Sequence, residues 1–344
     1  MRRRIAASVG IGVAAALWLG CGDAQRGKGA GAAASGAEKS GAGEASAPQP
    51  DAVRIALNWK PEPEFGGLYE AQRTGAFAKR GLSVEITGGP GAPVVQMVEA
   101  GKVEFGFAAA DEVVVARDRG SDIVAVFATY QTNPQGIMVH AARGLGSLRE
   151  LFAAGGTLAV EPGLAYVKQL QKDFDLSKMK IVPYSYSIAP FLNDPQMAQQ
   201  VFVTAEPIAA KRQGSDPQVF LIAKTGFNPY AAVVIATGAQ VREHAQRVAR
   251  FVSALRAGWR GYLDDPGPAN AAMAALNQEM DAETFRLAAE AQKPLIEDDF
   301  ARQHGIGAMS QERWATLGEQ LRALAIVDKD PKPAECWVEV PPVD

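Results

Sequence analysis

From residue 53 onward the chain alternates short apolar runs of period two with stretches of helical period, and few folds accommodate that rhythm. Strands alternating with helices pack as sheets covered on both faces, an α/β architecture. Val53, Ile55, Leu57 and Trp59 alternate with smaller or polar neighbours, which predicts a strand ending at Lys60-Pro61. Helical spacing over 68–79 is closed by Arg80-Gly81, and a strand over 82–86 completes a parallel strand-helix-strand unit. The same reading expects helices over 94–100, 112–118, 147–154, 164–174 and 208–213. It expects strands over 104–108, 123–128, 157–160, 181–184, 200–203 and 219–222. Beyond 241 the pattern becomes helical: Ala245, Val248, Val252, Leu255, Trp259 and Tyr262 mark one long helix to about 263, and helices over 268–278, 282–292 and 311–323 follow.

Not all of the 344 residues enter this pattern. Arg2-Arg3-Arg4 followed by an apolar run to Leu19 has the charge and length of a secretory signal, giving a signal peptide over 1–20. Residues 22–50 draw 21 of 29 positions from Gly, Ala, Ser and Pro, a composition too poor in apolar surface to fold, so 21–52 is expected to be a flexible tether. Cys21 follows Leu17-Trp18-Leu19-Gly20, which resembles a bacterial lipobox with Trp18 in place of its usual leucine; acylation of Cys21 would anchor the protein to a membrane. Cys336 is then a lone cysteine, so no internal disulfide is expected. Removing the three arginines lowers the formal net charge from -3 to -6, which argues against nucleic acid as a partner.

Catalytic motifs are missing. His140, His244 and His304 stand apart without metal-ligand spacing, and there is neither a nucleophile elbow nor a phosphate-binding loop, so no metal and no cofactor are expected. His244 is expected to face solvent, and Gly88-Gly89-Pro90-Gly91 to be a tight turn rather than a nucleotide site. Ligands of open α/β sheets bind outside the carboxyl ends of the strands. Asn58, Trp59, Glu64, Phe65 and Tyr69 follow the first strand, Asp111 the strand over 104–108, Glu161 and Tyr166 that over 157–160, and Glu206 that over 200–203. Asp111 serves equally as a helix N-cap. Rings mixed with carboxylates suit a flat, nitrogen-rich or polyhydroxylated ligand.

These residues also carry a family resemblance. Leu57-Asn58-Trp59, Pro61 and Gly66-Gly67-Leu68-Tyr69-Glu70-Ala71 resemble the opening of ABC-transporter substrate-binding proteins for thiamine pyrimidine precursors, a family shared with sulfonate and nitrate binders. The segments 77–86, 98–106 and 228–237 look like the same family. The resemblance implies a type II periplasmic-binding-protein fold: two α/β lobes joined by two crossovers, with the ligand closed into the cleft between them. Lobe one would combine 53–132 with 237–344, lobe two would span 133–236, and the crossovers would lie near 133–140 and 229–236. It further implies a small flat heterocyclic ligand, a pyrimidine precursor or a flavin, with Asn58, Trp59, Glu64, Phe65, Tyr69, Asp111, Glu161, Tyr166, Tyr186 and Glu206 in contact. Delivery to the transmembrane subunits of an ABC permease, an exported periplasmic or cell-surface location and a monomeric state go with it. A related enzyme, thiamine pyrimidine synthase, carries its cofactor lysine where this chain has Ala108 and its donor histidine where it has Glu112; without that amine no Schiff base to pyridoxal phosphate forms. Anion binding is disfavoured by the carboxylates, since Lys60 and Lys168 form no cluster.

Overall fold

A computed structural model describes residues 49–329 and 332–343. The signal segment, Cys21 and the tether as far as residue 48 lie outside the described residues. Ten strands follow one another among the described residues: β1 Asp51–Leu57, β2 Leu82–Gly88, β3 Phe105–Ala108, β4 Ile123–Tyr130, β5 Gln135–His140, β6 Gly156–Val160, β7 Met179–Pro183, β8 Met197–Phe202, β9 Pro217–Leu221 and β10 Ala231–Thr237. They form two five-stranded sheets, β2-β1-β3-β10-β4 and β7-β6-β8-β5-β9.

Both sheets follow one plan. Three parallel strands, β2-β1-β3 in one and β7-β6-β8 in the other, are extended by an antiparallel strand from the other end of the chain's excursion, β10 or β5. The chain passes to the second sheet over 131–134 and returns over 222–230. The two passages are tied together: the Asn133 side-chain amide donates to the Pro229 carbonyl at 3.1 Å, and the Asn133 backbone N–H donates to Asn228 Oδ1 at 2.8 Å. The crossovers expected over 133–140 and 229–236 are therefore largely strands β5 and β10. Their apolar residues, Ile137 to Val139 and Val233 to Ala236, are fully buried, as strands covered on both faces require.

Strand β4 is buried along its whole length although it is the last strand of its sheet. Chain from the C-terminal third covers its open edge through bridges from Ala125 to Trp337 and from Ala128 to Gly307. On one face of that sheet the helices Gly66–Arg73 and Ala245–Asp264 pack at glycine contacts: a Cβ on Gly258 would sit 2.1 Å from the Gly67 carbonyl oxygen.

Several boundaries differ from expectation for local reasons. The helix expected over 68–79 is Gly66–Arg73, because Gly75 turns with φ +69°; a 3-10 turn, Ala78–Arg80, follows it. The long C-terminal helix is interrupted at His244 (φ -126°, ψ 37°), which separates Gly238–Glu243 from Ala245–Asp264. His244 is exposed there. Short helices at Ala189–Asn193 and Asp299–His304 are too brief for periodicity to reveal. Gly88 makes the expected tight turn: at φ +90° a Cβ would meet the Leu57 carbonyl oxygen at 2.3 Å. Cys336 is buried and has no disulfide partner among the described residues, and burial pushes its thiol up to about 11.

Candidate functional site

A cavity of about 900 Å³ opens between the lobes, at the carboxyl ends of the parallel strands. Its first-lobe wall is the loop after β1. There Pro61 and Pro63 break both strand and helix, and the short 3-10 turn Pro63–Phe65 leads into the helix Gly66–Arg73. Trp59, Lys60, Glu62 and Glu64 from this loop line the cavity. From below, Gln292 on the helix Ala282–Ile296 fixes the loop: its Nε2 donates to the Pro63 carbonyl at 2.8 Å, and its Oε1 accepts from the Tyr130 hydroxyl at 2.7 Å.

The second lobe faces this loop with the ends of β6, β7 and β8. Glu161 and Tyr166 follow β6, Tyr184 and Tyr186 follow β7, and Glu206 opens the helix Glu206–Arg212 after β8. Gln200 joins them, because its Oε1 accepts from the Tyr166 hydroxyl at 3.0 Å and from the Glu161 backbone N–H at 2.5 Å. Glu206 accepts from the Tyr184 hydroxyl and from the Phe202 backbone N–H, each at 2.8 Å.

Two contacts bridge the lobes at the mouth. Trp59 and Tyr186 face one another with ring centroids 6.3 Å apart and planes 30° from parallel. Tyr186 is 61 % exposed and holds a left-handed backbone conformation, φ +56°, which costs a non-glycine residue about 1–3 kcal/mol. A ring seated between two others needs about 7 Å, twice a van der Waals spacing of about 3.5 Å, so a movement of under about 1 Å would admit one. Beside this pair, Arg212 binds the Asp281 carboxylate and the Thr284 hydroxyl across the cleft, holding the Asp281 carboxyl down to about 2.

Low water access and mutual repulsion shape the acids between these walls. Burial first, then the Glu206 charge, pushes the Glu62 carboxyl up to about 7, against the Trp59 indole N–H that donates to it at 3.3 Å. Glu64 is raised well above the carboxylate range by burial and then by Glu62 and Glu206; among the described residues no hydrogen bond reaches its carboxyl. Glu206 is raised by burial in spite of its donors. Lys60 is paired with Glu279.

Of the expected contacts, Asn58, Trp59, Glu64, Glu161, Tyr166, Tyr186 and Glu206 line this one cavity. Phe65, Tyr69 and Asp111 do not. Phe65 is fully buried, its ring edge-on to Phe107 with centroids 4.9 Å apart, and Tyr69 lies in the same core. Both belong to the turn and helix that pack against the first sheet, so their rings point inward. Asp111 sits in the first turn of the helix Ala110–Asp118, its carboxyl raised to about 6 by burial and then by Glu112. It does not cap that helix: Ala109 holds the N-cap position, and Glu112 accepts from the Ala109 N–H at 2.8 Å. Glu62, Tyr184, Gln200 and Arg212 escaped the sequence reading. Glu62 and Tyr184 stand two residues from chosen ones, whereas Gln200 lies within a strand and Arg212 at a helix end, without local signal.

The arrangement defines a class first: two α/β lobes closing on a cleft are the fold of periplasmic binding proteins. The chain superposes on the periplasmic aliphatic sulphonate binding protein SsuA of Escherichia coli with a TM-score of 0.66 at 13 % identity, covering 86 % of this chain and 94 % of that one. On the alkanesulfonate-binding protein SsuA of Xanthomonas axonopodis pv. citri bound to MOPS the TM-score is 0.62 at 15 % identity, over 85 % of this chain and 100 % of that one. Identities this low show a shared fold only. The sequence is more specific: residues 62–269 match the NMT1/THI5 like family, and the chain belongs to it. A curated relative, the formylaminopyrimidine-binding protein of Halalkalibacterium halodurans, is 22 % identical over 230 residues, which is 64 % of this chain and 68 % of the relative.

Proposed function

We propose that this protein is the substrate-binding lipoprotein of an ABC importer and that it captures a small flat heterocycle, a thiamine pyrimidine precursor or a flavin, by closing its lobes. The observation that carries the reading is the Trp59–Tyr186 pair, one ring from each lobe, set 6.3 Å apart above a cavity of about 900 Å³. A stacked ligand would join the lobes through both rings. The cavity is roomier than a single pyrimidine needs, which keeps a flavin-sized ligand in the reading. The tied passages over 131–134 and 222–230 are the hinge, and the closed shape is what a permease recognises. The curated relative's name, a pyrimidine binder, points the same way.

Binding rather than catalysis is supported by Ala108, which has no amine to offer pyridoxal phosphate, and by Glu112, whose carboxylate is engaged at a helix start. Native mass spectrometry of protein purified from its own host would identify a retained ligand by mass. A thermal shift induced by an added aminopyrimidine or flavin should vanish in Trp59→Ala; an unchanged shift removes Trp59 from the site. Lipid attachment is tested by mass spectrometry of the N-terminal peptide, where an unmodified Cys21 would end the lipoprotein reading.

A further inference from the structure

The charges around the cavity do not balance. Its wall carries Glu62, Glu64, Glu161, Glu206, Glu279 and Asp281 against Lys60 and Arg212. Both cations are already engaged, Lys60 by Glu279 and Arg212 by Asp281. Four carboxyls are left, and the elements packed around them contribute phenols instead of cations: Tyr130 from β4, Tyr166 after β6, Tyr184 and Tyr186 after β7. The indole of Trp59 and the hydroxyls of Tyr184 and Tyr186 hydrogen-bond to Glu62, Glu206 and Glu161. Such donors ease a negative charge without cancelling it, and among the described residues nothing of the kind reaches Glu64. Among the described residues no group of three or more His, Cys, Asp or Glu converges as a metal ion's ligands. The balancing charge is therefore a proton or an organic cation. The faces of Trp59, Tyr184 and Tyr186 at the same cavity favour a cation independently, through their quadrupoles.

We infer that the ligand enters as a cation whose charge replaces protons held by the Glu62–Glu64–Glu206 cluster, so that capture and proton release to solvent are a single event. The inference rests on the heterocycle reading for the ring and on the cleft alone for the charge. Glu62 and Glu64 belong to the first lobe and Glu206 to the second, so closure drives a third carboxyl against the other two. An empty cleft closes only with protons among them, whereas a cationic ring supplies the charge itself. Burial raises all three carboxyls, and the neighbouring carboxylates add to it at Glu62 and Glu64, the direction this exchange needs.

The test compares an N-methylated 4-aminopyrimidine, a fixed cation, with neutral pyrimidin-4-one by calorimetry at pH 6, in two non-sulfonate buffers of different ionisation heat. The cation should bind at least about tenfold tighter and release about one proton per ligand. Glu64→Gln should lose that preference. Carboxyl carbon NMR of the unliganded wild-type protein guards against a misfolded variant and should show glutamate carboxyls titrating above pH 6. Preference for the neutral ring, cation binding without proton release, or every glutamate titrating below pH 5 overturns the inference. If neither ring binds while carboxyls still titrate above pH 6, the heterocycle reading falls, and choline then reads the charge exchange alone: binding with proton release supports it, and no binding or no release overturns it.

Discussion

Replacing Gln292 with leucine should loosen the cleft from beneath. Gln292 is fully buried and spans two groups that have no water to turn to, the Tyr130 hydroxyl at 2.7 Å and the Pro63 carbonyl at 2.8 Å. Leucine keeps most of the volume and removes both partners. The Pro63 carbonyl keeps the Gly66 backbone N–H, so the main cost is the orphaned Tyr130 hydroxyl, and the expected loss is about 1–3 kcal/mol. For a folded unit of this size the melting temperature should fall by roughly 2–8 °C. Urea titration followed by tryptophan fluorescence measures it, and a double-mutant cycle with Tyr130→Phe isolates the cause. The single Tyr130→Phe leaves Gln292 Oε1 without its donor, whereas the double variant orphans neither group, because the Pro63 carbonyl keeps the Gly66 backbone N–H. The two single losses should therefore sum to at least about 1 kcal/mol more than the double loss. A loss below about 1 kcal/mol for Gln292→Leu, or strict additivity in the cycle, would refute the view that this side chain holds the Glu62–Glu64 loop by satisfying buried partners.

The remaining predictions concern pH, closure and packing. Glu62 has a folded value of about 7 against 4.5 for the free side chain, so the folded state holds its proton more tightly. That contribution is fully present below about 4.5 and lost as pH rises through about 7, so the unliganded protein should weaken over that window by up to about 1.4 kcal/mol per pH unit for each such proton. Glu62→Gln should flatten the slope; a slope of opposite sign would contradict it. Asp281 works in a separate window: its carboxyl is held down to about 2, so its contribution is present above about 3.8 and is lost as pH falls through 2. Arg212→Ala should shorten ligand residence, seen as faster dissociation in stopped-flow fluorescence, and an unchanged rate would deny the ion pair any part in holding the lobes closed. Gly258→Ala should cost about 1–3 kcal/mol in thermal unfolding despite alanine's higher helix propensity, because its methyl would press on the Gly67 carbonyl at 2.1 Å; stabilisation would show that the two helices can separate freely.

Much of the first lobe's site was written locally. Period-two spacing announced β1, its end at Lys60-Pro61 placed Asn58, Trp59 and Glu64 beyond a strand's carboxyl end, and these three do line the cleft. The same rule placed Glu161, Tyr166 and Glu206 after strands of the second lobe. It failed for Phe65 and Tyr69, because position after a strand says nothing about which way a ring turns once a helix has begun. Phe65 points to Phe107 and the sheet, not to the ligand. The crossovers, placed near 133–140 and 229–236 by resemblance, fall largely on strands β5 and β10, whose apolar runs carry no period to announce them.

The sequence by itself determined the alternating architecture, the family, the chemistry of rings and carboxylates, and the lack of an amine at position 108. Only the tertiary structure decided that Trp59 meets Tyr186, that Arg212 reaches Asp281, and that Glu62 and Glu64 share their space with Glu206. Those partners lie between 69 and 144 positions apart and belong to different lobes. The forces that join them, stacking, charge pairing and shared exclusion of water, depend on distance in space, and chain spacing carries no record of that until the two sheets close on one another.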